Sequence, residues 1–310
     1  MKVFGAQGGP SVVRSGARPS GLEAGILCTL AYADIFDYPL TPAEAHRYLI
    51  GIPASPGQVA DALRTGGWLA GQVRQVGEFW VLRGREHLTG LRRARTAVAT
   101  RLWPEAVRYA RLIAALPFVR MVAVTGALAL DNVEPGDDID YLVVTAPGRL
   151  WVCRALVIGV VRRAARRGVK LCPNYFLSER ALVLDDRNLF TAHELTQMVP
   201  LYGLDVYWRM RRSNFWTARF LPNAAGLPRR PAAEVRPPRW LGALLEVASQ
   251  TPPGDWVERW EMGRKLKKFG PPGPERRFDA DHCQGHFDGH GRRTLTAFAA
   301  RLAGLLEGGF

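Results

Sequence analysis

Two aspartates spaced one residue apart, Asp138 and Asp140, carry the clearest chemical signal in the chain. They open the run Asp138-Ile139-Asp140-Tyr141-Leu142-Val143-Val144-Thr145, whose apolar density predicts a strand. Alternation along a strand sends both carboxylates to one face and Ile139 to the other. Neighbouring carboxylates repel, and a divalent cation between them relieves that repulsion. Hard oxygen donors suit Mg²⁺ (or Mn²⁺), with a substrate's phosphates completing the octahedron. The bland reading is a pair of solvated acids at a strand's start, neutralised by arginines. Asp137, beside them, reads as a turn residue.

What precedes the acids sharpens the choice. Phe118 to Thr125 is a β-type run that stops at Gly126-Ala127, and ten residues (128–137) then lead to Asp138. A strand ending in Gly plus a small residue, then this spacing, then acid-apolar-acid-apolar resembles the signature of the DNA polymerase β-like nucleotidyltransferase superfamily. The resemblance covers 118–145 closely. A helix before (104–116), a helix after (148–167), a third strand (169–177) and another helix (188–199) fit its order. The texture of 170–202 extends the likeness, over about 21–225, to a broad bacterial group of nucleotidyltransferase-domain proteins.

The resemblance implies an NTP as substrate and Mg²⁺ as cofactor. Gly126 would shape the turn that holds the phosphates, and Asp138 and Asp140 would ligate the metal. Two positions depart from the superfamily. Ala127 stands where a serine is usual, so backbone N–H groups of the following short helix would have to hold phosphate. On the third strand, where a further acid is common, Asn174 is the polar residue facing the site, and an amide takes up no proton. The proton acceptor then lies elsewhere (Glu179, Asp185 and Asp186 follow closely), or the acceptor hydroxyl needs none, or turnover is lost. Lys170 and Arg180 are candidates for triphosphate charge. His193 and Glu194 would face the nucleotide or simply polarise a helix start.

The elements that must hold these residues follow from local patterns. Residues 1–20 read as a mobile Gly/Ser/Pro/Arg tail. Leu22, Ile26, Leu27, Leu30 and Ala31 share a helical face, and Thr41-Pro42-Ala43-Glu44 is a capping box that opens a second helix to about Leu49. A third helix runs from Ser55 to about Arg64, and two short strands follow between Trp68 and Leu82. Three helices and a hairpin over 21–85 resemble a winged helix, whose third helix would be offered to a DNA groove. Its exposed Gln58, Asp61 and Arg64 make a poor basic surface for that task. Residues 86–117 read as two connecting helices broken at Pro104, and 118–225 as the transferase domain. Residues 226–310 form a Pro-rich helical region, with helical patches at 240–248 and 256–269 and a closing amphipathic helix at 294–306. Arg264, Lys265, Lys267 and Lys268 make its basic patch. The expected architecture is therefore α/β (α+β).

Two further signals bear on partners and cofactors. His282, Cys283, His286 and His290 would line one face of a helix and suit zinc. Gly285, Gly289 and Gly291 disfavour that helix, and a loop of locally bonded histidines is the favoured reading. The 310 residues carry 42 Lys+Arg against 28 Asp+Glu, a net +14. That field attracts nucleotides, nucleic acid or an anionic membrane face. It is spread along the chain, and only five of the basic residues are lysine, as in a GC-rich composition. With 47% hydrophobic residues, a wholly disordered chain is excluded. No apolar run reaches the roughly 18–20 residues of a membrane span. The scattered Cys28, Cys153, Cys172 and Cys283 form no disulfide framework, which predicts a reducing cytoplasm. The sequence thus reads as an Mg-dependent nucleotidyltransferase moving a nucleoside monophosphate to a hydroxyl. The rival is a winged-helix nucleic-acid regulator whose degenerate transferase module only senses nucleotide.

Overall fold

The computed structural model describes residues 19–65, 67–230, 234–238, 240–249, 251–269, 276–285 and 289–307. The tail expected over 1–20 lies outside them, apart from its last two residues. Ser20 is not tail: it caps the first helix, α1 (Gly21–Asp34), in a capping box with Glu23. Thr41 and Glu44 form the second box, opening α2 (Pro42–Arg47). After α3 (Pro56–Thr65) come two antiparallel strands, β1 (Val73–Val76) and β2 (Phe79–Leu82). Ile26, Leu30, Leu49, Val59, Leu63 and Trp80 bury a core of this unit's own.

The stretch expected to break at Pro104 is one helix, α4 (Leu88–Ala114), with the proline inside it. A proline removes one backbone bond. Here the apolar face runs through it without interruption, with Trp103, Ala106, Tyr109, Ala110 and Ile113 all buried against the sheet. Two tertiary bonds fasten the same region: Trp103 Nε1 donates to Asp131 Oδ1 at 2.7 Å, and Tyr141 Oη donates to the Ala106 carbonyl at 2.6 Å. Packing outweighs the lost bond.

The rest of the chain is a mixed α/β structure, as the sequence led one to expect. It runs β3 (Val119–Val124), α5 (Gly126–Ala129), β4 (Ile139–Thr145), α6 (Leu150–Ala165), β5 (Leu171–Ser178), α7 (Leu189–Gln197), β6 (Val199–Tyr202) and α8 (Leu204–Ser213). Three helices and two strands follow: α9 (Trp240–Ser249), α10 (Pro252–Phe269), β7 (Arg276–Phe278), β8 (His282–Gly285) and α11 (His290–Glu307). The large sheet has the order β6-β3-β4-β5-β8-β7. Only β4 and β5 pair in parallel. The helices of 226–310 are present, but that region is not only a helical arm: β7 and β8 extend the sheet. Among the described residues no helix is long and apolar enough to cross a membrane.

Register decides where the acids look. Ile139, Tyr141 and Val143 of β4 pack on the side of α4 and α6. Leu142 and Val144 pack on the other side, with Leu189, Ala192 and Leu195 of α7. Asp140 shares the parity of Leu142 and Val144, so it projects on the α7 side.

The N-terminal unit is fastened to this sheet by a buried polar cluster. Glu44 Oε1 accepts from Tyr38 Oη and from Arg92 Nη2, each at 2.9 Å, and pairs with Arg229 Nη1 at 3.0 Å. Tyr38 Oη and Arg92 Nη1 also both lie 2.9 Å from the Leu130 carbonyl, at the C-terminal end of α5. The Arg92 guanidinium lies 3.8 Å over the Tyr38 ring. Removing one partner from a buried ion pair leaves the others charged and unpaired. Glu44→Ala should therefore lower stability in urea unfolding by about 3–5 kcal/mol. Arg64→Ala, which breaks only the exposed pair with Asp61, should cost no more than about 1 kcal/mol.

Candidate active site

Three segments converge on Asp140. The first is the turn after β3. Gly126 has φ +64°, and a Cβ built there would sit 2.5 Å from Asp140 Oδ2. Both the left-handed backbone and the close approach demand glycine. The turn's backbone is tied to the same residue, since Thr125 N–H donates to the Asp140 carbonyl at 3.1 Å. Ala127 is the second residue of α5, and the first amides of a helix have no partner inside it.

The second segment is β5. Asp140 is opposite Cys172 and Leu142 is opposite Tyr175, so β5 carries one extra residue across Pro173-Asn174. That bulge turns Asn174 onto the carboxylate, and its Nδ2 donates to Asp140 Oδ1 at 2.8 Å. A proline is tolerated at such a bulge because the ladder is already interrupted there. The third segment is the loop before β4, which brings the exposed Asp138 alongside. Asp137 closes that loop, its carboxylate accepting from Glu134 N–H at 2.8 Å. This is the turn role its position implied. Lys170 Nζ donates to the Gly136 carbonyl at 2.8 Å, so it flanks the acid loop rather than the Gly126 turn. Arg180 is exposed in the turn after β5.

Ligand atoms of Asp138, Asp140 and Cys172 lie within 4.8 Å of one another, the one such group among the described residues. Burial, reinforced by the Asp138 and then the Glu194 charge, pushes the Asp140 carboxyl up to about 7. Burial and the same two aspartates push the Cys172 thiol up to about 12. The protonated thiol donates to the carboxylates, and sulfur is a soft donor poorly matched to a hard cation. The oxygens are the donors that suit a hard cation, and Mg²⁺ is commonly held by one or two carboxylates plus phosphate oxygens. The residues fit that ion.

The remaining expectations sort cleanly. Glu179 pairs with Arg120 and Arg209, and Asp185 pairs with Arg277, so both acids are spent away from the dyad. Of the four proposed zinc ligands, the three that are described do not converge. His282 and Cys283 are consecutive on a strand, not a helix, and so point to opposite faces. His282 Nδ1 bonds Asp279 at 2.9 Å, Cys283 is buried in the core, and His290 begins α11 beside Phe190. His286 lies outside the described residues.

Two residues stand out beyond the motif. Cys172 takes its place opposite Asp140 from strand register, which no local pattern in the sequence fixes. Glu194, on α7, reaches the site because α7 packs on the face of β4 that carries Asp140. It accepts no side-chain hydrogen bond among the described residues, and burial pushes its carboxyl up to about 7. It lines a cavity of about 240 Å³ whose wall also includes Gly126 and Ala127. Its neighbour His193 is stacked on Tyr32 at 4.1 Å and is held neutral by burial, its pKa pushed down to about 3.

Comparison with protein-family models, with curated proteins and with solved structures finds no match to this chain. The functional reading rests on the site itself.

The raised carboxyls set the sign of a pH dependence. Asp140 and Glu194 start from ordinary values of 3.8 and 4.5 and bind their protons more tightly in the folded chain. Their contribution favours folding below the ordinary values and is lost as pH rises towards 7. The stability gained by Asp140→Asn over the wild type should therefore grow between pH 5 and pH 7, as thermal unfolding across that range would read.

Proposed function

We propose that the chain is a nucleotidyltransferase that moves a nucleoside monophosphate from an NTP to a hydroxyl. The observation that carries this reading is the fit of the Gly126 turn against Asp140 with Asp138 alongside. A backbone turn suited to phosphate and a carboxylate pair suited to a cation share one small space. Each alone is common. Their contact is what a bound metal–triphosphate requires.

In this reading Asp138 and Asp140 hold Mg²⁺, which when bound neutralises phosphate charge and makes the acceptor hydroxyl a better nucleophile. Asn174 fixes the rotamer of Asp140 through Oδ1, leaving Oδ2 on the Gly126 side. Amides at the start of α5 take the phosphate oxygens that a serine hydroxyl would otherwise bind, since Ala127 has none. The acceptor oxygen attacks the α-phosphorus and forms a new P–O bond. The bond from that phosphorus to the bridging oxygen of the β-phosphate breaks, pyrophosphate leaves with the electron pair, and the hydroxyl proton passes to water. The surrounding fold is read as a polymerase β-like core preceded by a winged helix.

The rival reading, a nucleic-acid regulator with a nucleotide-sensing module, draws on Ala127 and Asn174. The N-terminal unit gives it little help. On α3 the exposed Arg64 is neutralised by Asp61, so the helix that would enter a groove offers phosphates no free cation of its own there.

Isothermal titration of the four NTPs should show one or more binding only with Mg²⁺. Asp138→Asn/Asp140→Asn should lose that binding by at least about a hundredfold, since two charge-assisted contacts go. Binding indifferent to both metal and mutation would overturn the transferase reading.

A further inference from the structure

A cavity lies behind the Gly126 turn. One wall is the start of α5, with Gly126 and Ala127, and the opposite wall is α7, with Phe190 and Glu194. The N-terminal unit closes it with Tyr32 and Tyr38. The lining is overwhelmingly apolar and aromatic. At about 240 Å³ it lies below the roughly 300–1,000 Å³ usual for drug-sized ligands. A protein helix or a nucleic-acid end does not enter such a space, whereas a single ring with one or two substituents does.

Glu194 gives the cavity its chemistry. It is half-buried, and its carboxylate accepts no side-chain hydrogen bond among the described residues, with Gln197 and His290 also on the cavity wall. It is also close enough to Asp140 for the two charges to act on each other. Two consequences follow. A triphosphate would be repelled by Glu194 and belongs on the α5 amides and the dyad instead. An occupant that donates a hydrogen bond to Glu194, with an apolar body against the tyrosines and Phe190, supplies what the site lacks.

We infer that this cavity is the acceptor pocket, and that the acceptor is a small, ring-sized alcohol or phenol whose hydroxyl is directed to Glu194. The inference rests on the transferase reading and narrows it: the nucleotide is transferred to a compact apolar molecule rather than to a polymer end. Glu194 binds and orients the hydroxyl, and the proton released on attack passes by way of its carboxylate to water. The N-terminal unit becomes part of the substrate site, since it supplies the aromatic half of the wall.

Ligand-observed NMR with four probes of similar size tests this: phenol and benzyl alcohol as donors, toluene with no donor, and benzoate as the anion. Phenol and benzyl alcohol should bind the wild type, with and without saturating MgNTP, and benzoate should not. Glu194→Leu should weaken phenol by about ten- to a hundredfold, the range of a hydrogen bond to a charged group, and bind toluene more tightly. Glu194→Gln, which keeps the shape and an acceptor oxygen, should weaken phenol less than Glu194→Leu does and serves if the leucine variant misfolds. Three results would overturn the proposal: no binding of either donor probe, displacement of phenol by MgNTP, which would make the cavity a nucleobase site, or an unchanged phenol-to-toluene preference in both Glu194 variants. The two readings fail separately. Absence of MgNTP binding removes the transferase reading and the acceptor role with it. Loss of probe binding in a chain that still binds MgNTP removes the acceptor pocket alone.

Discussion

A carboxylate oxygen occupies the space where any side chain at position 126 would begin. That contact between Asp140 and the Gly126 backbone is the constraint on which the site depends. It forces the turn after β3 to come down onto the start of β4, and the bond from Thr125 N–H to the Asp140 carbonyl holds it there. The same approach excludes water from Asp140 and strengthens the effect of Asp138 beside it. Half-buried Asp140 beside exposed Asp138 is an unfavourable pairing when no cation lies between them. It becomes favourable when a cation and its phosphates arrive, which is how a binding site differs from a merely stable arrangement.

The architecture around that corner keeps it from relaxing. Behind α5, the Leu130 carbonyl is bonded by Tyr38 and Arg92, and both of these also bond Glu44. The helix that follows the turn is thus held from its far end by residues some 40 to 90 positions away in the chain. Trp103 and Arg230 hold Asp131, the next residue, at 2.7 and 3.1 Å. On the sheet's other flank, the bulge in β5 supplies Asn174 to the second oxygen of Asp140. The carboxylate is consequently fixed from both sides, with rotation as well as position determined. The same clamp brings the tyrosines of the N-terminal unit up to α7 and leaves the cavity between them. The pocket and the dyad are products of one packing arrangement.

Local signals made the core of this legible in the sequence. The spacing from Gly126 to Asp138 and Asp140, the parity of the acids on β4, and the Thr41–Glu44 capping box each depend on residues near one another in the chain. What stayed hidden depends on register and packing. Asn174 is expected from the sequence to face the site, but its bond to Asp140 comes from the extra residue in β5, which no local rule marks at Pro173, and Cys172 lies opposite Asp140 through strand register. For Glu194 the sequence leaves two readings open, facing the nucleotide or polarising a helix start, and only the packing of α7 on the Asp140 face of the sheet brings it to the cavity. Pro104 looks like a helix end because the tertiary contacts of Trp103 and Ala106 that outweigh it are invisible along the chain. The strands near 276 and 283 are three and four residues long and gain their order from pairing, β8 on β5 and β7 on β8, not from their own propensity.

The central claim is that Asp138 and Asp140 together hold a divalent cation presented with a nucleotide. Equilibrium dialysis of Mn²⁺ with a labelled non-hydrolysable NTP analogue tests it directly, because it counts protein-held metal and nucleotide apart from the metal–nucleotide complex free in solution. Wild type and Cys172→Ser should both retain metal and nucleotide, the oxygens being sufficient, while Asp138→Asn and Asp140→Asn should each retain little of either. Equal Mn²⁺ binding in both aspartate variants would contradict the account.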